Sequence, residues 1–242
     1  MKNLLIPTIL EADTINAVKT ALKQSKDEPT TIMLMLVADV PDTDSAAFFL
    51  RSVKSEMTSS QKKVLNDIRT IINEAGTNCT LKIHTQYGVS SPLIKNLIEF
   101  HKIGLTILTP SYKACTKKIQ IQCLQLLCNC KSPILHLTEN CDEKDLSKAL
   151  YLEKTKSKYQ AEDLQQLIQN EFDCTIVSQA KIQESQVAED MTAMLADAIS
   201  KNQISLLIET RKPEKVSFKK KKDTTINEVL GLPVLSVYEE LV

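Results

Sequence analysis

Glycine is scarce in this chain, with four residues in 242 and none between Gly104 and Gly231. Loops that grip a phosphate on backbone N–H groups depend on glycine, which tolerates φ > 0 and lets the anion approach closely. The gap therefore argues against a phosphate loop in that stretch. Tryptophan is absent, and five Phe with five Tyr leave a core of Leu, Ile, Val, Ala and Met. So few aromatics provide no stacking platform for single-stranded nucleic acid. An excess of either charge is missing too. Thirty basic residues balance thirty acidic ones, so no global field draws the protein to nucleic acid or to an anionic membrane. No apolar run approaches a membrane span, and Leu4-Leu5-Ile6 is too short for a signal peptide and is stopped by Pro7. The seven cysteines (79, 115, 123, 128, 130, 141 and 174) are odd in number, and several lie within apolar patterns. They read as small buried hydrophobes of a reducing cytoplasm, not as a disulfide framework.

What is present is an ordinary globular composition, 43% hydrophobic and 25% charged, arranged as alternating strands and helices. Leu4–Pro7 reads as a first strand, and Asp13 caps a helix marked by Ile15, Val18, Ala21 and Leu22. Thr31–Ala38 is continuously apolar, as in a parallel strand covered on both faces. Pro41–Met57 reads as a loop with a short helix over Ala46–Val53. A stripe of Val64, Leu65, Ile68, Ile71 and Ile72 makes a helix of Ser59–Ala75, closed by Gly76 in a left-handed cap. The strand Thr80–Thr85, a helix opened by Ser91-Pro92, and the strand Leu105–Thr109 follow. Lys113–Cys128 fits both periods, and length favours a helix; Ser132–Leu137 then closes five strands with helical crossovers.

The second half repeats part of the first. Ile71-Ile72-Asn73-Glu74 with Cys79-Thr80-Leu81 recurs as Leu167-Ile168-Gln169-Asn170-Glu171 with Cys174-Thr175-Ile176. A helix over Glu184–Lys201 precedes the strand Ile204–Ile208, which matches Leu105–Thr109, and Gly231–Val237 echoes Ser132–Leu137. Upstream, Ala149–Glu153 is the one segment left for a further strand. One strand–helix unit is thus expected to be missing from the second half. The expected fold is α/β, with two tandem Rossmann-like parallel-sheet units, residues 1–140 and a truncated 141–242.

In the order and spacing of these elements the chain resembles the universal stress protein family. The resemblance rests on Leu4-Leu5-Ile6-Pro7-Thr8, Leu34-Met35-Leu36-Val37, Gly88 with the helix Ser91–Ile103, Thr106-Ile107-Leu108, and the closing Pro133-Ile134-Leu135 and Pro233-Val234-Leu235. It implies a stress-response protein with a five-stranded parallel fold whose halves pack as a pseudo-dimer, the strands around Ile134 and Val234 running side by side. ATP-binding members resemble one another in an aspartate closing the first strand and a glycine-rich motif after the fourth. Here the aspartate's place falls on Ile9, and Thr109–Lys113 and Thr210–Pro213 contain no glycine. The resemblance thus implies a non-enzymatic protein without the family's ATP site, acting through a protein partner or a small ligand. An adenine-nucleotide binder with slow ATP hydrolysis is the alternative, and a homodimer beyond the internal pairing stays open.

Ligands of open α/β sheets bind at the carboxyl ends of the strands, which makes Thr8, Val37, Asp39, Gly88, Ser90, Thr109 and Ser111 the candidate lining of a polar pocket. The same residues serve as turn formers and helix caps, which is the commoner use of such residues at strand exits. Arg211, Lys212, Lys215 and Lys219–Lys222 form a basic stretch that could hold an anion, although a solvated loop explains it more simply. Cys128-Asn129-Cys130 lacks a second Cys/His pair at zinc spacing. His84, His101 and His136 have no adjacent carboxylate in sequence, and no G-x-S-x-G, Walker or H-E-x-x-H pattern occurs. No catalytic or metal-binding residue is assigned.

Overall fold

The computed structural model describes residues 2–25, 28–40, 57–76, 78–139, 145–154, 157–169, 171–182, 189–213 and 230–239. The short helix expected over 46–53, the basic run 219–222 and the domain boundary at 140/141 lie outside them. Nine strands are described: β1 (Lys2–Pro7), β2 (Thr30–Ala38), β3 (Cys79–Tyr87), β4 (Ile103–Leu108), β5 (Ile134–His136), β6 (Lys148–Lys154), β7 (Thr175–Ile182), β8 (Leu206–Arg211) and β9 (Val234–Tyr238). The helices are α1 (Asp13–Ser25), α2 (Ser59–Glu74), α3 (Ser91–Phe100), α4 (Pro110–Ala114), α5 (Lys118–Cys128), α6 (Ala161–Ile168) and α7 (Glu189–Asn202). The stretch 113–128 is therefore two helices, broken at Cys115 where the backbone turns extended (φ −58°, ψ 134°).

All nine strands join one sheet in the order β3-β2-β1-β4-β5-β9-β8-β6-β7. Every neighbouring pair is parallel except β5 and β9, which run antiparallel with Leu135 opposite Leu235. The closing strands thus lie side by side, as the duplication required. The order also shows which unit the second half lacks. β6, β7, β8 and β9 stand where β1, β2, β4 and β5 stand in the first half, and no described strand answers to β3. This corrects the internal alignment read from sequence. Cys174-Thr175 leads into β7, the counterpart of β2, whereas Cys79-Thr80 opens β3. The two share a local helix-to-strand junction, not a place in the fold.

Burial explains the patterning. Leu4 and Ile6 of β1 face one side with Ala17, Val18 and Ala21 of α1 and Leu65, Ile68 and Ile72 of α2. The same core continues into the second half through Leu164 and Ile168 of α6, Phe172, Ile208 and Val237. Leu5, Met33 and Met35 face the other side against Ile94, Leu97 and Ile98 of α3 and Cys123 and Leu127 of α5. Gly76 has φ 60°, as its cap requires. The serine cap falls on Ser90, one residue before the Ser91-Pro92 that opens the helix, its Oγ accepting from Leu93 N–H. Asp13 is the first residue of α1, its carboxylate turned to Ser111 instead of capping the helix. Thr58 adds a capping box with Gln61.

Candidate functional site

β1 ends at Pro7, and the chain turns at once. Thr8 Oγ1 accepts from Leu10 N–H at 2.8 Å, which holds Leu10 at φ 60° in a hydroxyl-closed turn. Thr8 and Thr14 hydroxyls, both buried, meet at 2.7 Å and fix the first turn of α1 beside the end of β1. At the neighbouring strand, Thr109 follows β4 and caps α4, its Oγ1 accepting from Tyr112 N–H at 3.3 Å. Asp13 of α1 crosses the gap between the two ends. Its Oδ2 accepts from Ser111 N–H at 2.7 Å and its Oδ1 from Ser111 Oγ at 2.7 Å. Beside this pair lies a cavity of about 300 Å³ whose wall also includes Asn16, Leu137 and Glu139.

The carboxylate therefore occupies the donors that open the turn after β4. A carboxylate on an N–H and a hydroxyl is a strong, charge-assisted arrangement. It leaves Asp13 and Glu139 as the charged groups that line the cavity among the described residues. A phosphate placed within about 4 Å of the Asp13 carboxylate would lose ~1 kcal/mol per unit charge in water, and ~4 kcal/mol at the effective dielectric of a protein surface.

The corresponding place in the second half follows from the register. Leu108 pairs with His136 and Glu209 with Ser236, so Thr210 answers to Thr109. Thr210 Oγ1 donates to Ser157 Oγ at 3.4 Å, and Ser157 meets the Tyr151 hydroxyl at 2.9 Å. Glu239, 1% exposed, accepts from Lys158 N–H at 3.0 Å through Oε1 and has Lys212 Nζ at 3.8 Å. Here too an internal carboxylate meets the segment that follows the fourth-position strand.

Arg211 overturns the reading of the whole basic stretch as a solvated loop. It ends β8 and is partly buried, and its guanidinium clasps backbone carbonyls of the first half. Nε donates to Cys128 O at 3.0 Å, and Nη2 donates to Cys130 O at 2.8 Å and Ser132 O at 2.6 Å. Nη1 donates to Ser236 O on β9. The loop between α5 and β5 thus hangs on a cation from the other half. The Cys-x-Cys pair packs accordingly: Cys130 Sγ donates to Leu126 O at 3.3 Å, and burial pushes its thiol up to about 11.

Of the candidate residues, Ser111 bonds Asp13 directly, Thr109 Oγ1 meets Ser111 Oγ at 3.2 Å, and Thr8 reaches only as far as Thr14, the residue after Asp13. Val37 is buried in β2, its carbonyl accepting from Gln120 Nε2 at 3.2 Å. Asp39 is exposed beyond the end of β2. Gly88 N–H donates to Ala38 O at 2.9 Å; its φ of 66° and a Cβ position only 2.9 Å from Val40 Cγ2 show a glycine required by the turn out of β3. Ser90 caps α3. Sequence reasoning assigned Asp13 to a helix start and overlooked its reach to Ser111, 98 residues away. Of the histidines, burial first, then the charges of Lys113 and Arg211, hold His136 down to about 3. Among the described residues no group of three or more His, Cys, Asp or Glu is placed to hold a metal, and no helix is long and apolar enough to cross a membrane.

No protein-family model and no curated protein matches the sequence. Solved structures do resemble the fold. A universal stress protein from Archaeoglobus fulgidus DSM 4304 superposes with a TM-score of 0.57 at 11% identity, covering 98% of this chain and 96% of that one. A universal stress protein of Pseudomonas aeruginosa UCBPP-PA14 covers 98% of this chain at 12% identity with a TM-score of 0.47. The chain therefore has the universal stress protein fold over nearly its whole length.

Proposed function

We propose that this is a non-enzymatic, cytoplasmic protein of the universal stress type that works in a stress response through a protein partner or small ligand and does not bind ATP in the family manner. One observation carries this reading: the Asp13 carboxylate holds both the N–H and the hydroxyl of Ser111 at 2.7 Å. A triphosphate would have to displace that carboxylate and then lie beside it, with no glycine in Thr109–Lys113 to open the backbone. The second half supports the same conclusion, since Glu239 sits beside Lys212 after the matching strand.

The test is calorimetric titration of the full chain with Mg-ATP, joined to native mass spectrometry of freshly purified protein. The expected result is no heat of binding at millimolar nucleotide and no co-purified nucleotide. Saturable ATP binding, or an adenine nucleotide retained through purification, would overturn the reading in favour of a nucleotide-binding stress protein.

A further inference from the structure

The chain has five Phe, and the two among the described residues stand in opposite settings. Phe172 is fully buried, whereas Phe100 is 82% exposed. Phe100 ends α3, the helix that covers Met33 and Met35 of β2. Its ring is braced edge-on by His101, with 4.9 Å between centroids.

α3 sets Ile94, Leu97 and Ile98 against the sheet, and its outer side is divided lengthwise. Leu93, 47% exposed, lies seven residues before Phe100. At about 3.6 residues per turn that is close to two turns, so the two apolar side chains stack along one edge. Lys95 and Glu99, four residues apart and both exposed, share the other edge, where both charges reach the Cys130 thiol. Asn96, also exposed, runs between the edges. Among the described residues neither Lys95 nor Glu99 is taken up in an ion pair.

Such a side is complementary to itself when two copies of the helix run antiparallel. About a two-fold axis level with Asn96, Leu93 of each copy meets Phe100 of the other. Lys95 of each copy then meets Glu99 of the other. A parallel pairing would set Lys95 against Lys95 and Glu99 against Glu99, and like charges brought face to face are costly. Antiparallel axes also bring opposite ends of the two helix dipoles together. An apolar edge, a central amide and a charged edge each find their complement at the matching height, as an isologous contact needs.

We propose that the outer side of α3 is the surface on which two copies of this chain associate. Leu93 and Phe100 of the two copies close the apolar edge. The Asn96 amides, each both donor and acceptor, face one another at the axis. The Lys95–Glu99 pairs fix the orientation more than they add strength. One ten-residue helix from each copy buries less than the ~1,200 Å² of a stable complex, so the association is weak and reversible. It leaves the β5–β9 joint inside each copy. It involves neither Asp13 nor Ser111, so it stands whether or not that site takes a nucleotide.

The experiment is sedimentation velocity of the full chain from micromolar to near-millimolar concentration. A monomer–dimer equilibrium is expected, with the dimer fraction rising across that range. Phe100→Ser, at an exposed position, should weaken dimerisation about tenfold or more and leave the melting temperature unchanged. Lys95→Glu and Glu99→Lys each set like charges across the axis, and each should weaken it about threefold or more. The double variant Lys95→Glu with Glu99→Lys restores opposite charges and should return to within about twofold of the parent. Circular dichroism checks that each variant is folded, which these exposed positions favour. A chain that stays monomeric throughout would overturn the proposal and leave α3 to a different protein. A dimer that survives Phe100→Ser, or a double reversal as weak as the single ones, would overturn it as well.

Discussion

Replacing Arg211 by methionine should be among the most damaging single changes outside the apolar core. The substitution keeps most of the volume and removes the donors to Cys128, Cys130, Ser132 and Ser236. A hydrogen bond to a charged group contributes ~1.5–3 kcal/mol, which for four bonds sets a ceiling of roughly 6–12 kcal/mol. Two effects reduce it. The guanidinium carries a desolvation cost of several kcal/mol, visible in the lowering of its pKa by burial, and that cost disappears with the charge. The stranded carbonyls lie in a loop partly open to water, so some of them rehydrate. The net loss worked from these terms is ~3 kcal/mol, or roughly 6–12 °C in Tm for a chain of this size. Arg211→Lys keeps the charge but not the planar fork, so it should recover only part of the loss. Urea unfolding followed by far-UV circular dichroism measures both variants. A loss for Arg211→Met within ~0.5 kcal/mol of the parent, the range of an ordinary surface substitution, would refute the claim that this side chain ties the two halves together.

Two further outcomes follow from titratable groups. His136 is held well below the ordinary imidazole value of 6.5, at about 3, by burial and by Lys113 and Arg211. The unfolded chain therefore binds a proton that the folded one refuses. Stability from this group is present above the unfolded value and is lost as pH falls between 6.5 and about 3, with a limiting slope of ~1.4 kcal/mol per pH unit. The residue as a whole is half-buried, so the measured slope should be shallower, and His136→Gln should flatten it in urea melts taken across that window. An unchanged slope would count against the buried neutral imidazole. Cys123 and Cys130 are pushed up to about 11 and Cys174 to about 12, burial being the first cause in each. Iodoacetamide at mildly alkaline pH, read by peptide mass spectrometry, should leave all three unmodified in the native protein. Rapid alkylation of Cys130 would contradict its packing against the end of α5.

The strand and helix pattern was legible because local signals agreed with their surroundings. Thr31–Ala38 lacks alternation because both of its faces are covered, by α1 and α2 on one side and by α3 and α5 on the other. Ser90, Thr109 and Gly76 announced their caps by residue type alone. The misreadings share a different cause. The likeness of Cys79-Thr80 to Cys174-Thr175 is local, whereas strand identity is fixed by which neighbour each strand pairs with. Asp13 and Arg211 act across 98 and about 80 residues of sequence, and no periodicity reports a reach of that length. Arg211 was misplaced because it begins a run of lysines, and composition hides a single residue whose role depends on the strand it ends.

The place of the unit that has no counterpart among the described residues explains how the second half could do without it. The joint between the halves is β5 against β9, and the shared core runs across it through Leu135, Leu235, Ile208 and Val237. β3, with α2 before it, lies at the far edge of the first half, so its counterpart would lie at the far edge of the second, beyond β7. Loss there leaves the joint, both faces of β6 and β8, and the Arg211 clasp in place. A loss at β8 or β9 would have cut the sheet in two. The exposed consequence is the outer edge of β7, and its sequence suits an edge: Thr175, Gln179 and Lys181 are exposed along it with Val177, 43% exposed, as the apolar member. Lysine and polar side chains on an edge strand discourage pairing with another chain. The duplication has therefore been trimmed where trimming costs least in core and where polar side chains guard the new edge.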